Sequence, residues 1–306
     1  MADAGVYLMR CLTPLHNGSG EGLGDLDRPI IREVTTSYPY VQGKTIKGAA
    51  KDRVKADKST QAFTDAFGSA PTGLEEGNQG VIVSVEAQLL LFPVRSMAGT
   101  FVWATSLLCL ARFATFLGLA KSSFASVGPA LLREPARGSA IGPSSLTDGE
   151  APWDSVSRLE GGTGPHLLEG LVLQSDQNRE SRKAVAQLAD DLAATLHDTD
   201  PFWTSFLRGR LLVLAQDDFR HLVQTATAVE ANIEILSSGV TKDGSLRYSE
   251  FLPAESVLYG YYYAASLVDA DRRTRAIELY ERALRGDMQL GADESAGKGL
   301  VSITLF

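Results

Sequence analysis

Short β-rich runs alternate with helix-period segments along all 306 residues, and no internal repeat at a fixed period underlies the alternation. That interspersion predicts an α+β fold, one sheet with helices on one face and long insertions, in a single domain spanning 1–306. VYLMRCLT (6–13) reads as a strand that runs straight into a glycine-rich loop, and KTIKGAAKDRVKA (44–56) as a helix with Ile46, Ala50 and Val54 on one face. VIVSVEAQLLLFPV (81–94) reads as one strong strand, 103–119 as an apolar helix and LLEGLVLQ (167–174) as a further strand. Helical spacing returns over 180–198, β-richness at 210–215, and a helix led by its acids over 217–229. NIEILSSGVTKDGSLRYSEFL (232–252) predicts two strands joined by a polar turn. A strand over 256–268, a helix over 271–286 ended by Gly286, and a second glycine loop with a final strand (291–306) complete the chain.

Between these elements, 121–166 is rich in Gly, Pro and Ser and has no periodicity, so it is expected to be an excursion that meets a partner. The most membrane-like stretch, FVWATSLLCLARFATFLGLA (101–120), carries Arg112 in its middle and reads as a buried amphipathic helix. The N-terminus lacks a basic region followed by an apolar run, so no signal peptide is expected. Two cysteines, Cys11 and Cys109, make neither a disulfide framework nor a zinc quartet, which fits a cytoplasmic setting.

A formal net charge of −8 argues against nucleic acid for the chain as a whole, but the charge is uneven. From Arg28 to Lys55 there are Arg28, Arg32, Lys44, Lys47, Lys51, Arg53 and Lys55 against Glu33 and Asp52, seven cations to two anions. This is a candidate phosphate-binding patch or, alternatively, a solvated helix face.

The four histidines, His16, His166, His197 and His221, show no zinc-ligand spacing, and His197 and His221 read as surface or packing residues. GSGEGLG superficially resembles a dinucleotide loop, but Pro29 and an extended IIRE follow it where a helix is required. What remains is TPLHNGSGEGLGDLDRPIIRE (13–33), a pliable loop with Asp25 and Asp27 beside cations. Glycine lets backbone N–H groups approach phosphates, and a carboxylate beside phosphate-binding cations is where Mg²⁺ would sit. The same aspartates also suit ordinary turn chemistry.

This stretch, followed by YPYVQGKTIKGAAKDR (38–53), resembles the opening of the RAMP-superfamily backbone subunits of type III-B (Cmr) CRISPR effector complexes. Those subunits open with a strand, a Leu-His pair, a small-residue loop, an Asp-x-Pro-Ile-x-Arg-Glu run and a Gly-x-x-x-Lys-Gly helix start. PVRSMAGTFVWATS (93–106), DDFRHLVQTAT (217–227), LRYSEFLPAESVLYG (246–260) and ADESAGKGLV (292–301) resemble the family in the same order, so the likeness spans nearly the whole chain. Asn17, Lys44 and Leu107 depart from the usual pattern without touching the acid.

The resemblance implies a modified RRM-like (ferredoxin-like) palm, a helical finger insertion and a β-hairpin thumb, for which 232–252 is the candidate. It implies copies stacked along a guide crRNA beside other subunits of the complex, with no membrane partner, and a target RNA cut at regular intervals. It makes the chain a metal-dependent endoribonuclease within the assembled complex. The carried-over acid is Asp27, not Asp25, acting as base or as ligand of a divalent ion such as Mg²⁺ or Mn²⁺, with His16 as acid or as a brace for the loop. Candidate RNA-binding cations are Lys47 first, then Lys51, Arg53 and Arg95, and also Lys298 if the last strand pairs beside the first. A purely structural RNA-binding subunit, with Asp27 an inert turn residue, is the alternative. A stand-alone nucleotide-binding enzyme is the third.

Overall fold

A computed structural model describes residues 4–20, 26–69, 77–97, 100–122, 133–142, 166–176, 178–197, 200–233 and 235–306. Asp25 and the stretches 123–132 and 143–165 of the expected excursion lie outside them. The chain divides into two compact units, the first comprising 1–35, 39–88 and 227–306, the second 36–38 and 89–226.

The first unit opens with β1 (Ala4–Cys11), β2 (Tyr40–Val41), α1 (Gly43–Arg53), α2 (Gln61–Phe67) and β3 (Ile82–Ser84). Strand β4 (Ala87–Arg95) follows, its first two residues in the first unit and the rest in the second. The second unit continues with β5 (Phe101–Ser106), α3 (Leu107–Ala120), β6 (Ser139–Ile141), β7 (His166–Leu168) and β8 (Leu171–Ser175). It ends with α4 (Arg179–His197), α5 (Pro201–Arg208), β9 (Leu211–Leu214) and α6 (Gln216–Thr225). The first unit resumes with β10 (Ala228–Asn232), β11 (Arg247–Phe251), β12 (Val257–Ala264), α7 (Ala270–Leu284), β13 (Gly286–Gln289) and β14 (Leu300–Leu305).

In the first unit the order β14-β1-β12-β3 is antiparallel at every junction. In chain order these are the fourth, first, third and second strands of a βαββαβ unit, with α1 and α2 in one crossover and α7 in the other. That is the ferredoxin-like arrangement. Strand β13 extends the sheet past β14. The two-stranded β10–β11 hairpin stands apart from this sheet, in the register Asn232↔Arg247 through Ala228↔Phe251. In the second unit β4 pairs antiparallel with β5, β5 parallel with β9, and β6 and β8 continue outward to β7.

Several boundaries differ from the sequence reading for identifiable reasons. The single strand expected over 81–94 is two, β3 and β4, separated at Val85 and Glu86. Trp103–Ser106, expected in the apolar helix, are strand; their β-branched and aromatic neighbours favour it, and the Ser106 hydroxyl caps α3 by accepting from the Cys109 amide. The single strand expected over 167–174 is a hairpin, because Glu169 and Gly170 both take positive φ, 46° and 87°, and turn the chain back. Helix α6 stops at Thr225, and the thumb-like strand begins at Ala228, ahead of the expected 232. Gly286, expected as a helix cap, opens β13. No helix among the described residues is long and apolar enough to cross a membrane.

The centre of the first sheet is locked by a reciprocal pair of contacts. Gly5 lies opposite Tyr262 and Gly260 opposite Tyr7, and a Cβ on either glycine would overlap the ring across from it. Each tyrosine therefore fills the space its partner glycine leaves, a cross-strand fit that fixes the register of β1 on β12. Tyr262 donates its hydroxyl to Glu281 at 2.7 Å, whereas the buried Tyr7 hydroxyl has no hydrogen-bond partner among the described residues. Two substitutions should accordingly act in opposite directions. Gly260→Ala overfills this core and should lower stability by about 1–3 kcal/mol. Tyr7→Phe removes an unpaired buried hydroxyl and should be neutral or stabilising. Thermal melting of the two variants beside the parent checks both signs.

Candidate functional site

Loop 13–20 leaves β1 and is stitched to two distant segments. The Leu15 amide donates to Leu252 at 2.9 Å and the Ala292 amide donates to the His16 carbonyl at 3.0 Å. The buried His16 ring donates from Nδ1 to the Glu250 carbonyl at 2.7 Å and meets Phe251 edge-on, centroids 5.6 Å apart. A carbonyl can only accept, so this bond places a proton on Nδ1. Gly18 makes room for the ring, since a Cβ there would stand 2.7 Å from Nε2.

The segment after the glycine loop is held against β11. The Arg28 amide donates to the Tyr248 carbonyl at 3.1 Å and the Glu250 amide to the Arg28 carbonyl at 2.9 Å, a short parallel bridge. Asp27 precedes that bridge. It is exposed, and its Oδ2 accepts the Tyr248 amide at 2.8 Å. Below it, Glu250 is 3% exposed and gathers three donors: the Ile30 amide at 3.0 Å, the Thr227 hydroxyl at 2.9 Å and the Arg32 guanidinium. Arg28 turns to Asp293, reaching both carboxylate oxygens at 3.0 and 3.2 Å.

These segments surround a cavity of about 800 Å³ in the first unit, lined among others by His16, Gly18, Asp27, Arg28 and Arg247. Of the residues singled out from sequence, the structure thus brings Asp27 and His16 to one cavity. Lys298 stands outside its lining, over the Phe251 ring (4.8 Å) and ion-paired with Glu230. Its condition is met, because β14 pairs with β1.

The cations of α1 do not line the cavity. Lys47 is half-buried and donates to the Ile82 carbonyl at 2.6 Å; burial, with Lys51 beside it, pushes its ammonium below the ordinary lysine range. Lys51 and Arg53 are exposed, Lys51 over the Phe63 ring at 5.7 Å and Arg53 reaching the Ala283 carbonyl at 3.5 Å. Arg95 belongs to the second unit, where it grips Glu169, with Nη2 to Oε2 at 2.9 Å.

Sequence reasoning missed Arg247, Glu250 and Asp293. Each is contributed by a segment more than 200 residues from loop 13–33: β11 brings Arg247 and Glu250 against that loop, and the bridge from Ala292 to His16 brings Asp293. Among the described residues no group of three or more His, Cys, Asp or Glu converges as a metal site. Asp27 retains one carboxylate oxygen outside its bond to Tyr248, a donor suited to a hard cation whose other ligands are phosphate and water.

The RAMP superfamily matches residues 8–302. Over 299 residues the chain is 28% identical to the CRISPR system Cmr endoribonuclease Cmr4 of Pyrococcus furiosus, covering 96% of this chain and 92% of that protein. The crystal structure of oligomeric Cmr4 from Pyrococcus furiosus is similar with a TM-score of 0.68 at 23% identity, covering 99% of this chain and 97% of that one. A chain of the type III-B Cmr-beta complex bound to cognate target RNA gives 0.71 at 17% identity, covering 99% and 96%. With the ferredoxin-like strand order and a family match across nearly its whole length, this chain belongs to the RAMP superfamily.

Proposed function

We propose that this chain is a guide-RNA-binding backbone subunit of a type III-B CRISPR effector complex and cuts the paired target RNA. The relatives support that reading: one is a Cmr endoribonuclease, one an oligomeric Cmr4, and one a chain of a complex bound to target RNA. The observation that carries it is the Asp27 carboxylate, exposed on a cavity shared with His16 and Arg28 and oriented by the Tyr248 amide.

RNA brings its own nucleophile, the ribose 2′-hydroxyl. Asp27 takes its proton, the 2′-oxygen bonds to the adjacent phosphorus and the bond from phosphorus to the 5′-oxygen breaks. That oxygen takes a proton from water, leaving a 2′,3′-cyclic phosphate and a 5′-hydroxyl. His16, held by Glu250 and Phe251, braces the turn that presents the acid. A divalent ion, Mg²⁺ or Mn²⁺, fits a donor set of one protein carboxylate plus RNA phosphates. When bound it supplies charge neutralisation at the phosphate and favours the ionised 2′-oxygen.

In this reading Lys51 and Arg53 of α1, with Lys47, Arg95 and Lys298, contact RNA backbone without reading sequence. The 232–252 hairpin is the thumb, and 121–166 meets a partner. Further copies of the chain and other subunits of the complex line the guide, in a reducing cytoplasm.

The bond from the Tyr248 amide to Asp27 also suits an inert turn carboxylate in a purely structural subunit, and one experiment separates the two. In the assembled complex with guide and matched target, Asp27→Ala and Asp27→Asn should slow cleavage about 10²- to 10⁴-fold with target affinity unchanged. Cutting at the parental rate would select the structural subunit. Chelating divalent ions with EDTA should stop cleavage by the parent complex, and added Mg²⁺ or Mn²⁺ should restore it; cleavage that persists under chelation removes the metal from the mechanism.

A further inference from the structure

The cations around the Asp27 cavity differ in one respect. Arg28 is paired with Asp293, Arg32 with Glu250 and Lys298 with Glu230. Arg247, which lines the same cavity, is exposed, and its side chain has no hydrogen bond or ion pair among the described residues. Its position is nonetheless defined. The carbonyl carbon of Arg247 is bonded to the Tyr248 nitrogen that donates to Asp27 at 2.8 Å, so the cation and the carboxylate arise on either side of one hydrogen bond. Side chains alternate along a strand, which places Arg247 on the face of β11 that carries Ser249 and Phe251. On that face Arg28 reaches the Ser249 hydroxyl at 3.5 Å and the His16 ring meets Phe251.

We infer that Arg247 grips the non-bridging oxygens of the phosphodiester to be cut and stabilises the negative charge that builds there as the 2′-oxygen attacks. The inference rests on the proposed role of Asp27. A guanidinium presents parallel N–H donors that match two phosphate oxygens, and it stays charged throughout, so it exchanges no proton in the step. A donor that meets developing charge in the transition state contributes to rate beyond its contribution to binding. The paired arginines are poorly suited to this task, because turning toward a phosphate means leaving a carboxylate behind. The Arg247 side chain leaves no described partner behind.

The test uses the assembled complex with guide RNA and saturating matched target. Arg247→Ala should lower the single-turnover cleavage rate about 100-fold while target affinity stays within about twofold. Arg247→Lys keeps the charge without the fork and should recover part of the loss. The side chain is exposed and bonds to no described residue, so neither change disturbs the fold. Parental cutting by Arg247→Ala overturns the inference. So does a loss confined to target affinity and its salt dependence, which would make Arg247 a strand-binding cation only. Asp27→Ala run in parallel keeps the two ideas apart: cutting that survives it overturns the base, whereas a dead Asp27→Ala beside a fully active Arg247→Ala overturns only the arginine.

Discussion

A buried carboxylate cannot stand alone, and the arrangement of the candidate site follows from how Glu250 is satisfied. Its two oxygens draw the Ile30 amide, the Arg32 guanidinium and the Thr227 hydroxyl, so the segment after the glycine loop is pulled down onto β11. Its backbone does the same for the segment before that loop, since the Glu250 carbonyl accepts from His16. One residue thus ties both flanks of a pliable stretch to a strand. Replacing it with an apolar side chain would leave an arginine and an amide without their partner. The contribution of Glu250 is mainly to register: with 28–32 fixed on β11, Asp27 has one place to be, beside the Tyr248 amide.

The charge excess between Arg28 and Lys55 looks different once this network is in place. Arg28 and Arg32 are each matched by a carboxylate far along the chain, so two of the seven cations act as internal ties. Lys47 is committed to a backbone carbonyl. Lys44, Lys51, Arg53 and Lys55 remain exposed on or just after α1. A run of like charge in the sequence is therefore two populations, one that builds the site and one that faces outward.

Sequence patterning reveals local features well and long-range pairing poorly. The strand into the glycine loop and the helix carrying Ile46 and Ala50 were legible, because each depends on spacing within a few residues, whereas of the hairpin only the second strand fell where expected, the first lying at Ala228–Asn232. Loop chemistry alone left Asp25 and Asp27 level; the resemblance to an Asp-x-Pro-Ile run is what singled out Asp27. Arg247 and Glu250 lie in LRYSEFL, an ordinary alternating strand, and nothing in that stretch announces that loop 13–33 lies against it. The side of α1 that Lys47 takes was equally hidden: its backbone position follows from the helix, but the path of its long side chain to the Ile82 carbonyl depends on where β3 lies.

The donor inventory of the cavity also bears on how such a site stays quiet without substrate. Among the described residues lining the cavity Asp27 is the one carboxylate, and with one uncommitted oxygen it is a weak holder of a hard cation, which prefers several oxygens at once. Under the proposed chemistry the missing oxygens belong to the RNA, so the reactive assembly is complete only when a strand lies in the cavity. The same holds for the nucleophile, which the substrate carries. The protein's share reduces to holding an acid and a set of cations in fixed relation, and rate then depends on how well the strand is oriented. Specificity can be left to base pairing elsewhere, because a strand that is not held in line meets a carboxylate with nothing to act on.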